Sequence, residues 1–516
     1  MPAPFFTTNA ADYLRLEGVY ITELSPPGGV QGVDVNTVGI FGPSVRGPVD
    51  TPVVITSESR FLEVFGGRDT GAGGPITGKN WLALQNKRFG TLVVVRAANS
   101  ADVAASFTLD SVDGGSSAVA RIDASSVGDW GNSLKFIVAN ATDGNADHWN
   151  LVVRLLGNDI VFENLDTSAG NDNLVEVIGD DIGRLINIEK LADGRPLNTA
   201  DFTGDYLTAL DADGFINLGE TITGYVSVAG VSNPLTAADY TGPERAAEQV
   251  GDFGGVSVLF STEDDEAVVQ AINTKLITET INWSDRQAII WSGDHDDTPS
   301  DAAAYQATLN RSDRIVHTYN SAYTQDPVTG MEVLTALPAW KASIYSQVDV
   351  DVNTGESDTI PLLRGITRLR RPSLRRGDLV QLRDAGISAL ARGPLGNQFV
   401  SAINTDLDGE LRRITRRRSA DFLQNSVGNR LVFYAKKRST EMNRRLMRGD
   451  IISFSNALVQ DRRVIEAFEL IDANQTNTAA SRAQGQEFIF WRVRLIGHAE
   501  FIILQTEIGT GVTVAV

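Results

Sequence analysis

The chain has 516 residues, 42% hydrophobic and 21% charged, with a formal net charge of −20. That length exceeds one ordinary domain and supplies apolar material for several packed cores. The acidity disfavours wrapping nucleic acid, and the absence of cysteine excludes disulfides, thiolate nucleophiles and cysteine metal sites.

Residues 1–18 show no basic stretch followed by an apolar one, so no secretory signal is expected there. No apolar run approaches the ~20 residues that span a bilayer, so no membrane insertion is expected and synthesis is expected in the cytoplasm. The charge is uneven. Residues 364–448 carry 20 Lys or Arg against 7 Asp or Glu, which predicts a basic face for an acidic partner.

In chain order, residues 18–24 (GVYITEL) read as a strand, separated from the rest of the chain by SPPGG at 25–29. Residues 37–67 read as a strand, a Gly/Pro loop, a short strand and a helix capped by Ser57. Residues 81–97 (WLALQNKRFGTLVVVRA) read as helix, turn and buried strand. From about 100 to 240 the texture becomes Gly-, Asp- and Asn-rich with short alternating strands, among them LKFIVAN, HWNLVVRLL, DIVFENL and GYVSVAG.

An α/β rhythm returns after residue 253, with strands at 256–261, 286–292 and 314–319 and helices at 264–281 and 301–310. That alternation implies parallel strands with crossover helices. Residues 450–460 read as a helix, leading into strands at 464–470 and 487–496 joined by a polar loop. The last strand, VTVAV at 512–516, comes after a Gly-Thr-Gly hinge. A lone short strand is unstable in water. It either folds back on its own sheet or adds to another copy's sheet.

The fold class is thus α/β multidomain. A central α/β body with parallel strands carries an all-β, sandwich-like insertion and a small α+β C-terminal domain with extended terminal strands. The expected division is 1–25, 26–100, 101–240, 241–440 and 441–516.

Motifs for chemistry are weak. GGPITGKN at 73–80 matches a phosphate-cradling loop, but Asn80 stands where a Ser or Thr must reach Mg²⁺. Asp211, Asp213 and Glu220 resemble part of a calcium loop, yet Ala209 falls on the first ligand position, and a turn is the better reading. The run Asp294, His295, Asp296 and Asp297 reads as an acidic surface loop. No HExxH or GxSxG is present. No catalytic residue, metal or cofactor is expected. The arginine run at 412–418 reads as a solvated basic face or a protein contact.

These segments resemble the contractile tail sheath proteins of myophages and related injection systems. The likeness lies in GVYITEL with TVGIFGPSVRGPVDTPVVITSESRFLEVFG, in WLALQNKRFGTLVVVRA, in ASSVGDWGN at 124–132 and in DANQTNTAASRAQG between two strands. It implies a structural subunit that stacks as six-membered rings around a tail tube and contracts to drive the tube through a host envelope. It implies an inter-subunit strand at Val19, Tyr20, Ile21 and Thr22, and another at Val512, Thr513, Val514, Ala515 and Val516. The acceptor hairpin would include Val464, Ile465, Phe468, Phe488, Phe490 and Val493. Candidate tube-facing cations are Arg412, Arg413, Arg416, Arg417, Lys436 and Lys437. The implied partners are the chain itself, a tail tube protein, and baseplate and tail terminator proteins, with no nucleic acid. The implied location is a virion tail assembled in the host bacterial cytoplasm. Other classes are an α/β nucleotide-binding enzyme or hydrolase, disfavoured by the missing Mg²⁺ hydroxyl and nucleophile, and another structural role such as a surface-layer or tail-terminator protein.

Overall fold

The computed structural model describes residue 30 and residues 37–66, 92–111, 118–201, 210–220, 226–240, 257–261, 265–282, 286–292, 298–325, 330–355, 359, 361, 363–435, 437–471 and 477–498. Within them the chain forms two compact units. The large one comprises Val33–Phe422 with residues 497 and 498, the small one Leu423–Ile496 with residue 30.

The large unit is built on an eight-stranded sheet. Its strands lie in the order Gly396–Phe399, Ile387–Gly393, Ile315–Tyr319, Gln287–Ile290, Val258–Ser261, Val38–Pro43, Leu92–Ala97 and Pro52–Ile55. The inner six pair in parallel, and an antiparallel strand closes each edge. The inner strands are nearly unbroken apolar runs because both sheet faces are covered. Alternation sorts their side chains into two layers. Val38, Ile40, Val94, Val258 and Phe260 join Trp340 in one core, while Phe41, Val93, Val95 and Leu259 join Ile272 and Leu276 in the other.

The helices obey local signals. Ser57 caps Glu58–Phe65 as expected, its hydroxyl accepting from Arg60 N at 3.2 Å. Pro299–Thr308 opens with a reciprocal cap in which Thr298 Oγ1 accepts from Asp301 N while Asp301 Oδ2 accepts from Thr298 N. Leu337–Tyr345 is buried along its whole length. It carries one charge, Lys341, whose Nζ donates to Thr354 Oγ1 at 3.0 Å and lies 4.2 Å from the Phe399 ring centre.

Between Leu92–Ala97 and Val258–Ser261 the chain builds two antiparallel four-stranded sheets. One orders Ile216–Asn217, Lys135–Asn140, His148–Leu155 and Asn158–Asp166. The other orders Ser227–Val228, Ser106–Asp110, Ala118–Ala124 and Ile186–Lys190. Phe107, Ile122, Phe136, Trp149 and Leu151 from both sheets fill one shared core.

The GDWGN segment has a packing role here. Trp130 Nε1 donates to Ser126 O at 3.1 Å. Asn132 pairs with the Gly230 backbone twice, Nδ2 to O at 2.9 Å and Oδ1 from N at 2.7 Å. A Cβ on Gly131 would come within 2.8 Å of the Ala105 and Ala124 methyls, so only glycine fits this close approach. Sequence alone does not single out Arg96, since it sits at the end of an apolar strand. Its guanidinium is buried and donates to Ser44 O, Gly47 O and Val127 O, and desolvation lowers its pKa to about 10.

Candidate assembly surface

The small unit presents a hairpin with open edges. Its strands, Ile465–Ile471 and Phe490–Leu495, form a two-stranded sheet, so among the described residues each has one edge unpaired. Such edges are templates for a further strand. The helix behind the hairpin is Glu441–Gln460, which begins nine residues before the expected start at 450. Thr440 caps it, its hydroxyl accepting from Asn443 N at 3.3 Å. The basic run around Arg444 and Arg448, together with Gly449, hides this first half from an apolar-periodicity reading. Arg430 Nε and Tyr434 OH, on the last turns of Ile414–Tyr434 that belong to the small unit, both donate to Asp450 Oδ2 of Glu441–Gln460 at 2.6 Å. Burial and the Asp450 carboxylate together push the Tyr434 pKa up.

The six candidate hairpin residues have different environments. Ile465 is fully buried, so its side chain is core and not a docking contact. Val464 lies just before the strand with φ 63°, a left-handed conformation that is unusual for a β-branched residue, and its carbonyl accepts from Ile496 N at 3.0 Å. It closes the hairpin base instead of extending the ladder, because the chain must turn sharply out of Glu441–Gln460. Phe468 sits opposite Val493 in the register, and Phe490 opposite Ile471. Phe488, Phe490 and Val493 are 45%, 46% and 36% exposed, large for aromatic and aliphatic side chains beside an open edge. Asn477 is the residue that sequence reading missed. Its side chain bonds both Phe488 N and Phe488 O, at 2.7 and 2.9 Å, and so acts as a one-residue strand partner before Phe490.

The candidate cations separate as well. Arg417 is only 5% exposed. Its Nη1 donates to Asp313 Oδ2 at 2.9 Å and its Nη2 to Asp421 Oδ1 at 2.5 Å, and Arg314 Nη2 reaches the same Asp421 oxygen at 2.9 Å. It therefore offers no charge to an outer surface. The helix buries the face that carries Asp421, and Arg417 is four residues away on that face. Arg418, in the same run, is buried too, with Nη2 donating to Tyr345 O and Val348 O. Arg412 and Arg413 donate to Arg383 O and His498 O, and Arg416 to the exposed Glu410. In the small unit Lys437 lies over the Phe433 ring, 3.0 Å from its centre. Lys436, the two terminal strand segments at 19–22 and 512–516, the 73–80 loop and the 294–297 run all lie outside the described residues.

Removing a buried pair partner is costly, whereas an exposed pair contributes little. Arg417→Ala is expected to destabilise the large unit by roughly 3–5 kcal/mol, and Arg416→Ala by less than about 1 kcal/mol. Urea unfolding of the two variants measures the contrast, and equal losses would count against this division of the run.

The Asp211 loop is a turn. Asp211 Oδ1 accepts from Asp213 N and Phe215 N, and Lys135 Nζ donates to Oδ2 at 2.7 Å, which together hold its pKa low. The histidine environments do not converge either. His317 is buried with Nδ1 against Gln306 Oε1, His148 lies between Asp143 and Asp166, and His498 meets Asp351 O. Among the described residues no group of His, Cys, Asp and Glu is placed to hold a metal ion. No described helix is long and apolar enough to cross a membrane.

No family model matches the sequence, and no curated protein matches it. Solved structures do. A sheath tail protein from Listeria innocua aligns with 90% of this chain and 95% of its own, at 14% identity and a TM-score of 0.56. A sheath tail protein from Desulfitobacterium hafniense aligns with 88% of this chain and 93% of its own, at 13% identity and a TM-score of 0.56. The helical sheath of the anti-feeding prophage in its contracted state aligns with 95% of this chain and 98% of its own, at 14% identity and a TM-score of 0.53. The chain has the fold of the contractile tail sheath proteins.

Proposed function

We propose that this chain is a structural, non-catalytic subunit of a contractile tail sheath. Copies stack as six-membered rings around a tail tube, linked by strand exchange, and a change in body contacts drives the tube through a host envelope. The observation that carries this reading is the end-to-end likeness to sheath proteins, which spans nine-tenths of both chains in the Listeria comparison. The open-edged hairpin supports it, since a strand ladder joins copies strongly and with little demand on sequence.

On this reading residues 101–240 form an inserted β-rich domain and residues 441–516 the linking domain. Residues 19–22 and 512–516 of neighbouring copies are the exchanged strands. The partners are a tail tube protein and the baseplate and terminator proteins that bound the tail, and the location is a tail particle assembled in the host bacterial cytoplasm. The cations at 412, 413, 416 and 437, none of them buried, remain candidates for the tube-facing surface. Screening over ~8 Å suits a contact that later slides. The alternative reading is the sheath of a related contractile injection system, since the anti-feeding prophage sheath aligns with as much of this chain.

Purified protein concentrated in low and moderate salt is expected to form tubes or rods under negative stain. A sedimentation profile of monomer alone in all salts, with intact ends, would overturn the proposal.

A further inference from the structure

The acidity of the chain is concentrated. Residues 101–240 hold 22 Asp or Glu against 6 Lys or Arg, an excess of 16 negative charges in a chain of net charge −20. After the strand Asn158–Asp166 comes a short helix, Leu174–Ile178, whose Leu174 is buried in the core that the two four-stranded sheets share. Its exposed side carries Glu176 and Val175, the latter 72% exposed, with Asp172 exposed just before the helix. Asp172 Oδ1 accepts from Leu174 N at 3.1 Å, and neither carboxylate has an ion-pair partner among the described residues. A surface of opposite sign belongs to the same unit. The helix Arg376–Asp384 opens with Arg375 at its N-cap and Arg376 next, both exposed and both without an ion-pair partner among the described residues. Val380, one turn on from Arg376, is 50% exposed. Cations at a helix N-terminus oppose its dipole. The start of this helix is already satisfied by Asp378, whose Oδ2 accepts from Arg375 N at 2.8 Å. Local helix stability therefore does not account for the two arginines.

We propose that the surface of Asp172 and Glu176 on one copy docks on the surface of Arg375 and Arg376 on a second copy. The proposal names one body contact of the assembly and rests on the sheath reading. Each surface repels its own kind, so two copies cannot meet through like surfaces, and the contact has to join unlike ones. Unlike surfaces on one chain join copies head to tail, and such a contact propagates into a ring or an open helix instead of closing a dimer. Complementary charge selects the partner and speeds the encounter, while Val175 and Val380 give each surface apolar area to bury. The acidic partner expected for the basic stretch at 364–448 is thus, near its start, the inserted domain of another copy.

The test is a charge swap in the full chain, read as the critical concentration for pelleting of rods. Arg375→Glu combined with Arg376→Glu is expected to raise it by about tenfold or more, as is Asp172→Arg with Glu176→Arg. All four substitutions together are expected to bring it back to within about threefold of the parent chain. Glu176→Arg alone, at a side chain with no described hydrogen bond to lose, is expected to move it in the same direction. Raising the ionic strength from about 0.1 M to about 1 M shortens the screening length from ~10 Å to ~3 Å. That change is expected to weaken assembly of the parent chain more than assembly of the Arg375→Gln, Arg376→Gln variant. Circular dichroism melting reports whether the variants fold. If folded reversal variants assemble like the parent chain, the two surfaces are not in contact and the inference fails, while the sheath reading stands. If the arginine reversal impairs assembly and the acid reversal neither impairs nor restores it, the arginines meet another surface and the inference fails. A parent chain that never forms rods overturns the sheath reading, and this inference with it.

Discussion

Deleting residues 511–516, or separately residues 1–24, is expected to abolish rods and leave a folded body. The eight-stranded sheet, the two four-stranded sheets and the hairpin are all formed without either segment, so no described core layer is lost. The energy at stake lies in the ladder. A strand of about five residues makes a few hydrogen bonds, each contributing about 0.5–1.5 kcal/mol net. Burial of two or three valines adds about 1.5–3 kcal/mol each at most. Ordering the strand opposes this by roughly 1–2 kcal/mol per residue. A net loss of only about 4 kcal/mol per subunit contact would shift the critical concentration by roughly a thousandfold. Circular dichroism and the thermal midpoint should be unchanged, size exclusion should show small species, and negative stain should show no rods. Ordered rods from either truncated chain would exclude strand exchange as the link. Unfolding of the 511–516 truncation would place that strand in its own sheet.

The parallel sheet was legible because its strands are apolar on both faces. LVVVRA, VLFS and QAII need no tertiary information to be read as buried strands. The hairpin was legible from two alternating segments with a polar connection. What escaped the sequence was charge in the interior. Arg96, Lys341 and Arg417 are each buried, yet a lone cation in a sequence is most economically read as surface, since unpaired burial is rare. Most of their partners are distant in the chain. Arg96 is satisfied by carbonyls at 44, 47 and 127, and Arg417 by an acid at 313 as well as by Asp421 one helical turn on. The spacing of four between Arg417 and Asp421 is a local pattern, but it reads equally well as an exposed pair. Val464 escaped for the opposite reason. Its residue type argues for a strand, but the exit from Glu441–Gln460 forces it to φ 63°.

Lys341→Met is expected to stabilise the large unit at neutral pH and to flatten its pH dependence between about 7 and 10.5. Lys341 is buried on the wholly buried Leu337–Tyr345 helix, which packs on the central sheet. Its described polar partners are the hydroxyls of Thr354 and Ser388, the latter at 3.4 Å, and the Phe399 ring. Desolvation above all, with the positive charge of Arg418 acting in the same direction, lowers its pKa to about 7. The other titratable group facing this cluster is Tyr345, whose pKa burial pushes up and which stays a neutral phenol, while Asp349 and Asp351 act on Arg418. In the unfolded chain a lysine titrates near 10.4. Between those two values the unfolded state binds the extra proton, so stability rises with pH. It is greatest above the unfolded pKa, falls as pH drops toward 7, and below 7 this group adds no further slope. A shift from 10.5 to about 7 corresponds to a penalty on the order of 5 kcal/mol at neutral pH and below. Methionine has similar length, fills the same space and carries no charge. It loses the ring and hydroxyl contacts, at a cost of about 1–3 kcal/mol, so a net gain of a few kcal/mol should remain at pH 7 and disappear near pH 10. Urea midpoints for both proteins from pH 6 to 10 read this directly. Parallel curves would mean that Lys341 is charged in the fold at neutral pH, with a counter-charge supplied by rearrangement around Arg418.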